Sequence, residues 1–196
     1  MSSNRGRLVV VSGPSGAGKT TVLERVVQQS PLPLVRGVSA TTRPPREGER
    51  DGVDYHFLSP EEFAARRNKG EFLECFQVFG PGHWYGTLSS EVTTSLAAGK
   101  WVVLNIDVKG AAAVMDRYGD AIGIFVRPSS IDELRRRLLL RGTETEEAIR
   151  QRLDQARHEL DLACRYRYQV INDDVGQAVA RICEILQNEW EANRDA

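Results

Sequence analysis

Eight residues near the start of the chain, GPSGAGKT from Gly13 to Thr20, leave few folds open. They follow a short β-rich run, Leu8–Ser12, and they lead into a helical pattern. The spacing G-x-x-x-x-G-K-[ST] between a strand and a helix is that of a phosphate-binding loop. Its glycines let successive backbone N–H groups turn toward an anion, and the helix N-terminus adds positive potential at the same point. The alternative is an ordinary glycine turn that joins a strand to a helix.

Two side chains at the end of this loop suit a nucleoside triphosphate. Lys19 supplies a positive charge for the outer phosphates, and Thr20 supplies a hydroxyl for the Mg²⁺ that accompanies the nucleotide. The sequence therefore predicts that the loop binds the phosphates of ATP or GTP. The predicted binding residues are Gly13, Pro14, Ser15, Gly16, Ala17, Gly18, Lys19, Thr20 and Thr21.

Short β-rich runs alternate with helical patterns along the chain. Several of these runs are nearly continuous in apolar residues, which is typical of strands covered on both faces. The alternation predicts an α/β fold with a parallel sheet flanked by helices. The predicted strands are Leu8–Ser12, about 34–39, Trp101–Ile106, Ile122–Val126 and Tyr168–Ile171.

The middle of the chain interrupts this alternation. The stretch VSATTRPPREGERDGVDYHF is rich in arginine, proline and glycine. Within it Val53, Tyr55 and Phe57 alternate with polar residues, which predicts an exposed strand. We expect residues 37–96 to form a lobe inserted between elements of the core.

Three sequences have the pattern of a helix start with a capping box. They are SPEE with Ser59 as the cap, SIDE with Ser130 and Glu133, and TETE from Thr143 to Glu146.

Composition limits the partners and the compartment. The net charge of the 196-residue chain is −1, so no global field attracts nucleic acid or an anionic membrane, and any anion site is local. The longest apolar runs have four or five residues, far fewer than a membrane span needs. The three cysteines are expected to be small buried side chains in a reducing compartment. We therefore expect a cytoplasmic protein without nucleic-acid or membrane partners.

Two arginines in the interrupting stretch indicate a second anion site. Arg43 and Arg46 flank a rigid Pro44-Pro45 pair, and a guanidinium group can bind a phosphate through two parallel hydrogen bonds. An acceptor that itself carries a phosphate would fit there. The alternative is a solvated loop in which Glu47 and Glu49 balance the arginines.

The chain resembles guanylate kinases over about residues 8–184. The resemblance is carried by GPSGAGKT and SATTRPPREGERDGVDYHF together with GEFLE, WYGT, NIDVKG, RLLLRGTETEEAIRQRL and VINDD. The resemblance implies one domain, 1–196, in three parts. The parts are a core at 1–36, 97–132 and 168–196, a mixed or antiparallel β lobe at 37–96 that binds GMP, and a helical lid at 133–167. It also implies direct in-line, Mg²⁺-dependent phosphoryl transfer from ATP to GMP, and use of dGMP as a second acceptor.

The resemblance assigns the GMP site. It implies that the phosphate of GMP is held by Ser39, Arg43, Arg46, Tyr55 and Tyr85. It assigns Glu74 to guanine, whose N1–H and N2 amine lie side by side so that one carboxylate accepts from both, whereas adenine has no such pair. Ser39 and Thr87 are further candidates for bonds to the base.

Asp107 ends a predicted buried strand, where a carboxylate faces the ligand crevice of a parallel sheet. Its expected role is on the GMP side of the site or at Mg²⁺ through water. Asn105 stands where many guanylate kinases carry an acid, so it is left out of the metal site.

Three arginines in the lid are the remaining catalytic candidates beside Lys19. Arg137 and Arg141 are four residues apart on one predicted helix, so their side chains point the same way, and Arg152 lies on the next helix. The resemblance implies that they neutralise charge on the transferred phosphoryl group. Spacing alone allows the alternative that Glu133 pairs with Arg137. The resemblance also places Asn172 beside the adenine of ATP.

The sequence allows two other functions. One alternative is an inactive guanylate-kinase-like protein-interaction module, and another is a kinase for a different phosphorylated small molecule such as a ribose bisphosphate.

The loop that contains Pro81–His83 is about two residues longer than is usual in guanylate kinases. The tail after Asn188, with Trp190, either packs on a second copy in a homodimer or covers the chain's own core.

Overall fold

The computed structural model describes residues 6–77, 82–140 and 145–194. The described chain forms two compact units, of which the first contains residues 6–10 and 33–122 and the second residues 11–32 and 123–194. The elements in chain order are β1 (Leu8–Ser12), α1 (Lys19–Gln29), β2 (Leu34–Arg36), β3 (Ser39–Thr41), β4 (His56–Phe57), α2 (Pro60–Asn68), β5 (Phe72–Gln77), β6 (Trp84–Leu88), α3 (Ser89–Ala97), β7 (Trp101–Asn105), α4 (Val108–Arg117), β8 (Ile122–Arg127), α5 (Ile131–Leu140), α6 (Glu146–Asp161), β9 (Tyr168–Ile171) and α7 (Val175–Arg194).

The larger sheet has the strand order β2-β7-β1-β8-β9. In the first unit β2 pairs in parallel with β7, and in the second unit β8 pairs in parallel with β9. All five residues of β1 are buried, as expected for a strand covered on both faces. Parallel neighbours need crossover connections, and helices supply them here. The observed architecture confirms the predicted α/β class.

The smaller sheet, in the order β4-β3-β6-β5, lies wholly in the first unit. β3 pairs in parallel with β4 and antiparallel with β6, and β6 pairs antiparallel with β5, so the sheet is mixed. Helix α2 packs on it through Phe63, whose ring stacks on that of Phe72 with the centroids 4.4 Å apart. This apolar contact supports the strands that carry the candidate GMP residues.

The run predicted as one strand at about 34–39 is two strands in two sheets. β2 ends at Arg36, and Ser39 begins β3. Gly37 lies at the transition, where its N–H donates to Val103 O at 2.9 Å and an added Cβ would lie 2.5 Å from Leu104 Cδ2. An apolar run does not show that its two halves join different sheets.

The exposed strand predicted through Val53, Tyr55 and Phe57 is wrong for most of its length, because β4 contains only His56 and Phe57. The N–H groups of Val53 and Asp54 both donate to Arg50 O, at 3.3 and 3.0 Å, which closes a turn instead.

The helix caps agree with the sequence in two of three cases. Ser59 Oγ accepts from Glu62 N at 3.1 Å, and Ser59 N donates to Glu62 Oε2 at 3.0 Å, which is the predicted capping box of α2. Ser130 Oγ accepts from Glu133 N at 3.1 Å at the start of α5. The cap of α6 is Thr145, whose hydroxyl accepts from Ala148 N, whereas the predicted cap, Thr143, lies outside the described residues.

The three cysteines are free thiols, with Cys75 and Cys183 half-buried and Cys164 exposed. The expectation of burial is therefore wrong for Cys164. Within the described ranges, every helix is too short or too polar to cross a membrane.

Candidate active site

The loop between β1 and α1 turns through three glycines in the left-handed region, Gly13, Gly16 and Gly18, with φ values of 138°, 92° and 82°. A Cβ on Gly13 would lie 1.9 Å from Val126 O, and one on Gly18 would lie 2.5 Å from Asn172 Nδ2. Glycine alone adopts this backbone without strain and fits these close contacts. The loop therefore has the backbone that a phosphate-binding loop requires.

Lys19 opens helix α1 and reaches back over the loop. Its ammonium group donates to Gly13 O at 2.5 Å and to Pro14 O at 3.0 Å. Thr20 and Thr21 follow in the first turn of α1 and are exposed. Positive charge and two hydroxyl groups thus lie at the N-terminus of the helix, where an anion is stabilised.

Asn172, just after β9, is 1% exposed and contacts the same loop. Its Nδ2 donates to Ala17 O at 2.6 Å, and within the described part of the chain its Oδ1 has no hydrogen-bond partner. The side chain expected beside adenine therefore lies against the backbone of Ala17 and Gly18. A buried amide in that place supports the loop directly.

Helix α6 brings Arg152 to the loop. Nη1 of Arg152 donates to Ser15 Oγ at 3.3 Å. The helix is held against α5 by an apolar cluster of Leu134, Leu138, Ile149, Leu153 and Ala156. Packing within the second unit thus places Arg152 beside the candidate phosphate site.

Arg137 has the ion-pair partner that its spacing allows. Its Nε donates to Glu133 Oε1 at 2.6 Å, and its Nη2 lies 3.6 Å from Asp173 Oδ1. Arg136 also bonds Glu133, and the guanidinium groups of Arg136 and then Arg137 lower the pKa of Glu133 to about 2. Arg141, the third lid candidate, lies outside the described residues.

In the first unit, Arg43, Tyr55 and Tyr85 form one cluster. Arg43 Nε donates to Tyr85 OH at 3.3 Å, and Arg43 Cζ lies 5.5 Å from the ring centroid of Tyr55. The two tyrosine rings are 5.9 Å apart between centroids. Burial raises the pKa of Tyr55, so its hydroxyl keeps its proton. Three predicted phosphate ligands are therefore neighbours.

Glu49 fixes both predicted arginines and was not predicted as a site residue. Arg43 Nη2 donates to its two oxygens at 2.8 and 2.9 Å, and Arg46 N donates to Oε2 at 2.7 Å. The hydrogen bond from Arg43 lowers the pKa of Glu49. The Arg46 side chain is exposed, so only its backbone is held. The sequence alone identifies Glu49 only as a charge that balances the arginines. Its position three residues after Arg46, in a turn that contains Gly48, is the signal that could have identified it as a site residue.

Glu74 on β5 is 7% exposed, and its Oε1 accepts from Thr87 Oγ1 at 2.7 Å. Burial raises the pKa of Glu74 to about 7; the Thr87 bond opposes this shift, and the charge of Asp107 adds to it. In the strand register Thr87 pairs with Ser39 on one side and with Glu74 on the other. The three residues assigned to the guanine base thus stand side by side across three strands.

Asp107 caps helix α4. Its Oδ1 accepts from Lys109 N at 2.7 Å and from Gly110 N at 3.1 Å. Its charge helps to raise the pKa of Glu74, the carboxyl group assigned to guanine. In the described ranges, His, Cys, Asp and Glu side chains form no group of three or more that could hold a metal ion.

The parallel sheet, the glycine loop and Lys19 at the start of α1 define a P-loop nucleotide-binding protein. The guanylate kinase family model matches residues 5–189. The chain is 53% identical to a guanylate kinase of Rhodopirellula baltica over 92% of this chain and 87% of that protein, and 51% identical to one of Salinibacter ruber over 88% and 90%. A crystal structure of guanylate kinase from Anaplasma phagocytophilum superposes with a TM-score of 0.80 at 31% identity, over 97% of this chain and 90% of that one.

The chain belongs to the guanylate kinase family. This confirms the resemblance drawn from the motifs and the predicted enzyme class, an ATP:GMP phosphotransferase.

Proposed function

We propose that the chain transfers the γ-phosphoryl group of ATP to GMP in one direct in-line step, giving ADP and GDP. In this proposal the loop Gly13–Thr21, Arg152 and Asn172 act on ATP, and the first unit binds GMP and dGMP. The observation that carries the proposal is the buried carboxyl group of Glu74 beside Thr87 and Ser39.

Guanine recognition follows from the chemistry of Glu74. An ionised carboxylate accepts from the N1–H and the N2 amine of guanine together. Adenine presents an acceptor at N1 and lacks the N2 amine, so it would leave the buried carboxylate unpaired. A site built to hydrogen-bond such donors discriminates by about 10⁴-fold. The Thr87 hydroxyl holds Oε1 and limits rotation of the carboxylate.

The phosphate of GMP has its proposed partners in Arg43, Arg46, Tyr55, Tyr85 and Ser39. Tyr85 OH accepts a hydrogen bond from Arg43 Nε, so its own proton is directed elsewhere and can be donated to a phosphate oxygen. Glu49 holds the same guanidinium group in place by accepting two hydrogen bonds from Arg43 Nη2.

Charge neutralisation, rather than acid–base chemistry, drives the proposed transfer. The attacking oxygen belongs to the GMP phosphate and is already anionic, so it needs no general base. Lys19, Arg137, Arg141 and Arg152 are the proposed cations that offset the charge of two phosphates brought together. Alignment of the reacting groups supplies the rest of the acceleration.

Mg²⁺ is the proposed partner of ATP. Thr20 offers a hydroxyl oxygen directly after Lys19, and Asp107 offers a carboxylate, which are the oxygen ligands that Mg²⁺ prefers. When bound, the ion supplies positive charge to the phosphate oxygens. Thr20 would hold the ion beside the loop, and a water-mediated contact with Mg²⁺ is one of the two roles proposed for Asp107.

A coupled assay with ATP and a panel of GMP, dGMP, AMP, UMP and ribose 1,5-bisphosphate tests the proposal. We expect turnover of GMP and dGMP, with kcat/KM for the other three lower by at least about a thousandfold. Glu74→Gln should raise the KM for GMP, while Glu71→Gln, whose side chain is 40% exposed, serves as the matched control. Absence of any turnover would favour the protein-interaction module, and preferred turnover of the ribose bisphosphate would favour the other kinase. An unchanged KM in Glu74→Gln would overturn the role of Glu74.

A further inference from the structure

Gly110 lies directly against the carboxyl group of Glu74. It occupies the first turn of α4, where its N–H donates to Asp107 Oδ1 at 3.1 Å. A Cβ built on Gly110 would lie 2.7 Å from Glu74 Oε2, 3.1 Å from Cδ and 3.6 Å from Cγ. The first of these distances is shorter than a Cβ contact tolerates, so the carboxyl group occupies its place only because residue 110 has no side chain.

The carboxyl group of Glu74 is therefore fixed on both sides. Its Oε1 accepts from Thr87 Oγ1 at 2.7 Å, and its Oε2 faces Gly110 on α4. One boundary is a hydroxyl group on β6, and the other is the backbone of a helix. The hydrogen bond from Thr87 and the space left by Gly110 together define where the carboxyl group lies within the first unit.

We propose that Gly110 is a positioning residue for guanine recognition, an inference that rests on the proposed role of Glu74. Two adjacent hydrogen bonds to one base require both carboxylate oxygens in its plane, because hydrogen bonds weaken steeply when their angle is poor. A methyl group at position 110 moves Oε2 away from the helix and turns the carboxylate out of that plane. Gly110 thus sets specificity through Glu74 without touching the nucleotide.

The structure also indicates how a substitution at Gly110 would be absorbed. The atoms in the way are the far end of the Glu74 side chain, which has rotatable bonds, and alanine is favoured over glycine within a helix. The carboxylate therefore yields before the helix does. The expected consequence is altered binding in a folded protein.

Steady-state kinetics of Gly110→Ala, with Gly119→Ala as the control, test this role. Gly119 follows the same helix, and a Cβ there meets nothing within 4 Å. We expect Gly110→Ala to raise the KM for GMP by about tenfold while the KM for ATP and the thermal unfolding midpoint stay close to those of the unmodified enzyme. The ratio of kcat/KM for GMP to kcat/KM for IMP should fall as well, because IMP keeps N1–H but lacks the N2 amine. Gly119→Ala should leave each value within about twofold. An unchanged KM and preference in Gly110→Ala would overturn the proposal.

A double variant separates displacement of Glu74 from disturbance of α4. Glu74→Asp shortens the side chain by one methylene and removes the contact, so Gly110→Ala should raise the KM for GMP by less than about twofold in that background. A full tenfold effect there would overturn the proposal. If Gly110→Ala alone fails to fold, the double variant should fold, and its failure to do so would likewise overturn it. A Glu74→Asp enzyme with normal GMP kinetics would instead remove the proposed role of Glu74 itself.

Discussion

Glu74 is a carboxyl group held where its ionisation is unfavourable. It is nearly inaccessible to water, and burial raises its pKa to about 7. The proposed ligand supplies the two donors that an ionised carboxylate needs, so guanine binding and loss of the proton are coupled. The proposed specificity thus depends on a group whose charged form is stabilised poorly in the free protein.

The binding of GMP should weaken as the pH falls through 7. A carboxyl group with a pKa of about 7 that must be ionised predicts a KM for GMP about fivefold higher at pH 6 than at pH 7. Glu74→Gln is the control, since it lacks this titration but shares that of the nucleotide phosphates. Steady-state kinetics from pH 5.5 to 8.5 measure the difference, and identical profiles for the two proteins would contradict the assignment.

The same pKa shift predicts a pH dependence of folding stability. The folded-state pKa of Glu74, about 7, lies above its ordinary value of 4.5, so the stabilisation is complete below pH 4.5 and is lost as the pH rises to 7. The loss is about 3 kcal/mol in the free energy of unfolding. Glu74→Gln should therefore be more stable than the unmodified protein at pH 8, with the difference vanishing near pH 4. Urea unfolding at both pH values measures it; equal stability at pH 8 would count against the buried, ionised carboxylate.

We expect Glu49 to lower the KM for GMP, although its carboxylate has the same negative sign of charge as the phosphate of GMP. Glu49→Gln removes one of two charge-assisted contacts to Arg43, which frees the guanidinium to leave Tyr85. We expect the KM for GMP to rise by about tenfold with kcat little changed. Glu47→Gln, an exposed substitution of the same kind in the same loop, should change it by less than about twofold. A lower KM in Glu49→Gln would show that Glu49 competes with the substrate for Arg43.

The strands and helices show which parts of the structure the sequence determines locally. Five buried residues make β1, and the Ser59 capping box starts α2, because the residues responsible are adjacent in the chain. The run at about 34–39 was predicted wrongly because the change of sheet at Gly37 depends on β7, more than sixty residues away.

The residues of the candidate site likewise differ in whether the sequence determines them locally. The loop and Lys19 were predictable from local spacing, and Glu74 only from resemblance. Gly110 was not predictable, because its contact with Glu74 joins two elements that are distant in sequence. The resemblance predicts Asn172 beside adenine. Its hydrogen bond to Ala17 O depends on where β9 lies in the sheet, which local spacing does not show.

Helix α6 should affect turnover more than affinity. Arg152 is held beside Ser15 by the packing of α6 on α5, so Arg152→Met should lower kcat by at least about a hundredfold with a small change in either KM. Arg150→Met, on the exposed side of the same helix, should stay within about twofold. The opposite pattern is expected for Arg43→Met, whose main effect should be a higher KM for GMP. Equal, small effects of Arg152→Met on both constants would contradict its role.

The two compact units each contain the residues proposed for one nucleotide. The second holds the phosphate loop with Arg152, and the first holds Glu74 with the Arg43 cluster. With a net charge of −1, the chain attracts anions only through such local groups. In the proposed transfer, cations of both sets offset the charge of the two phosphates, which otherwise repel each other.

Isothermal titration calorimetry with GMP measures directly whether the chain binds an acceptor nucleotide chosen by its base. We expect saturable uptake of one GMP per chain without ATP, no measurable heat from AMP at the same concentration, and loss of the GMP signal in Glu74→Gln. Uptake of ATP by the same protein, with no measurable uptake of GMP, would contradict it.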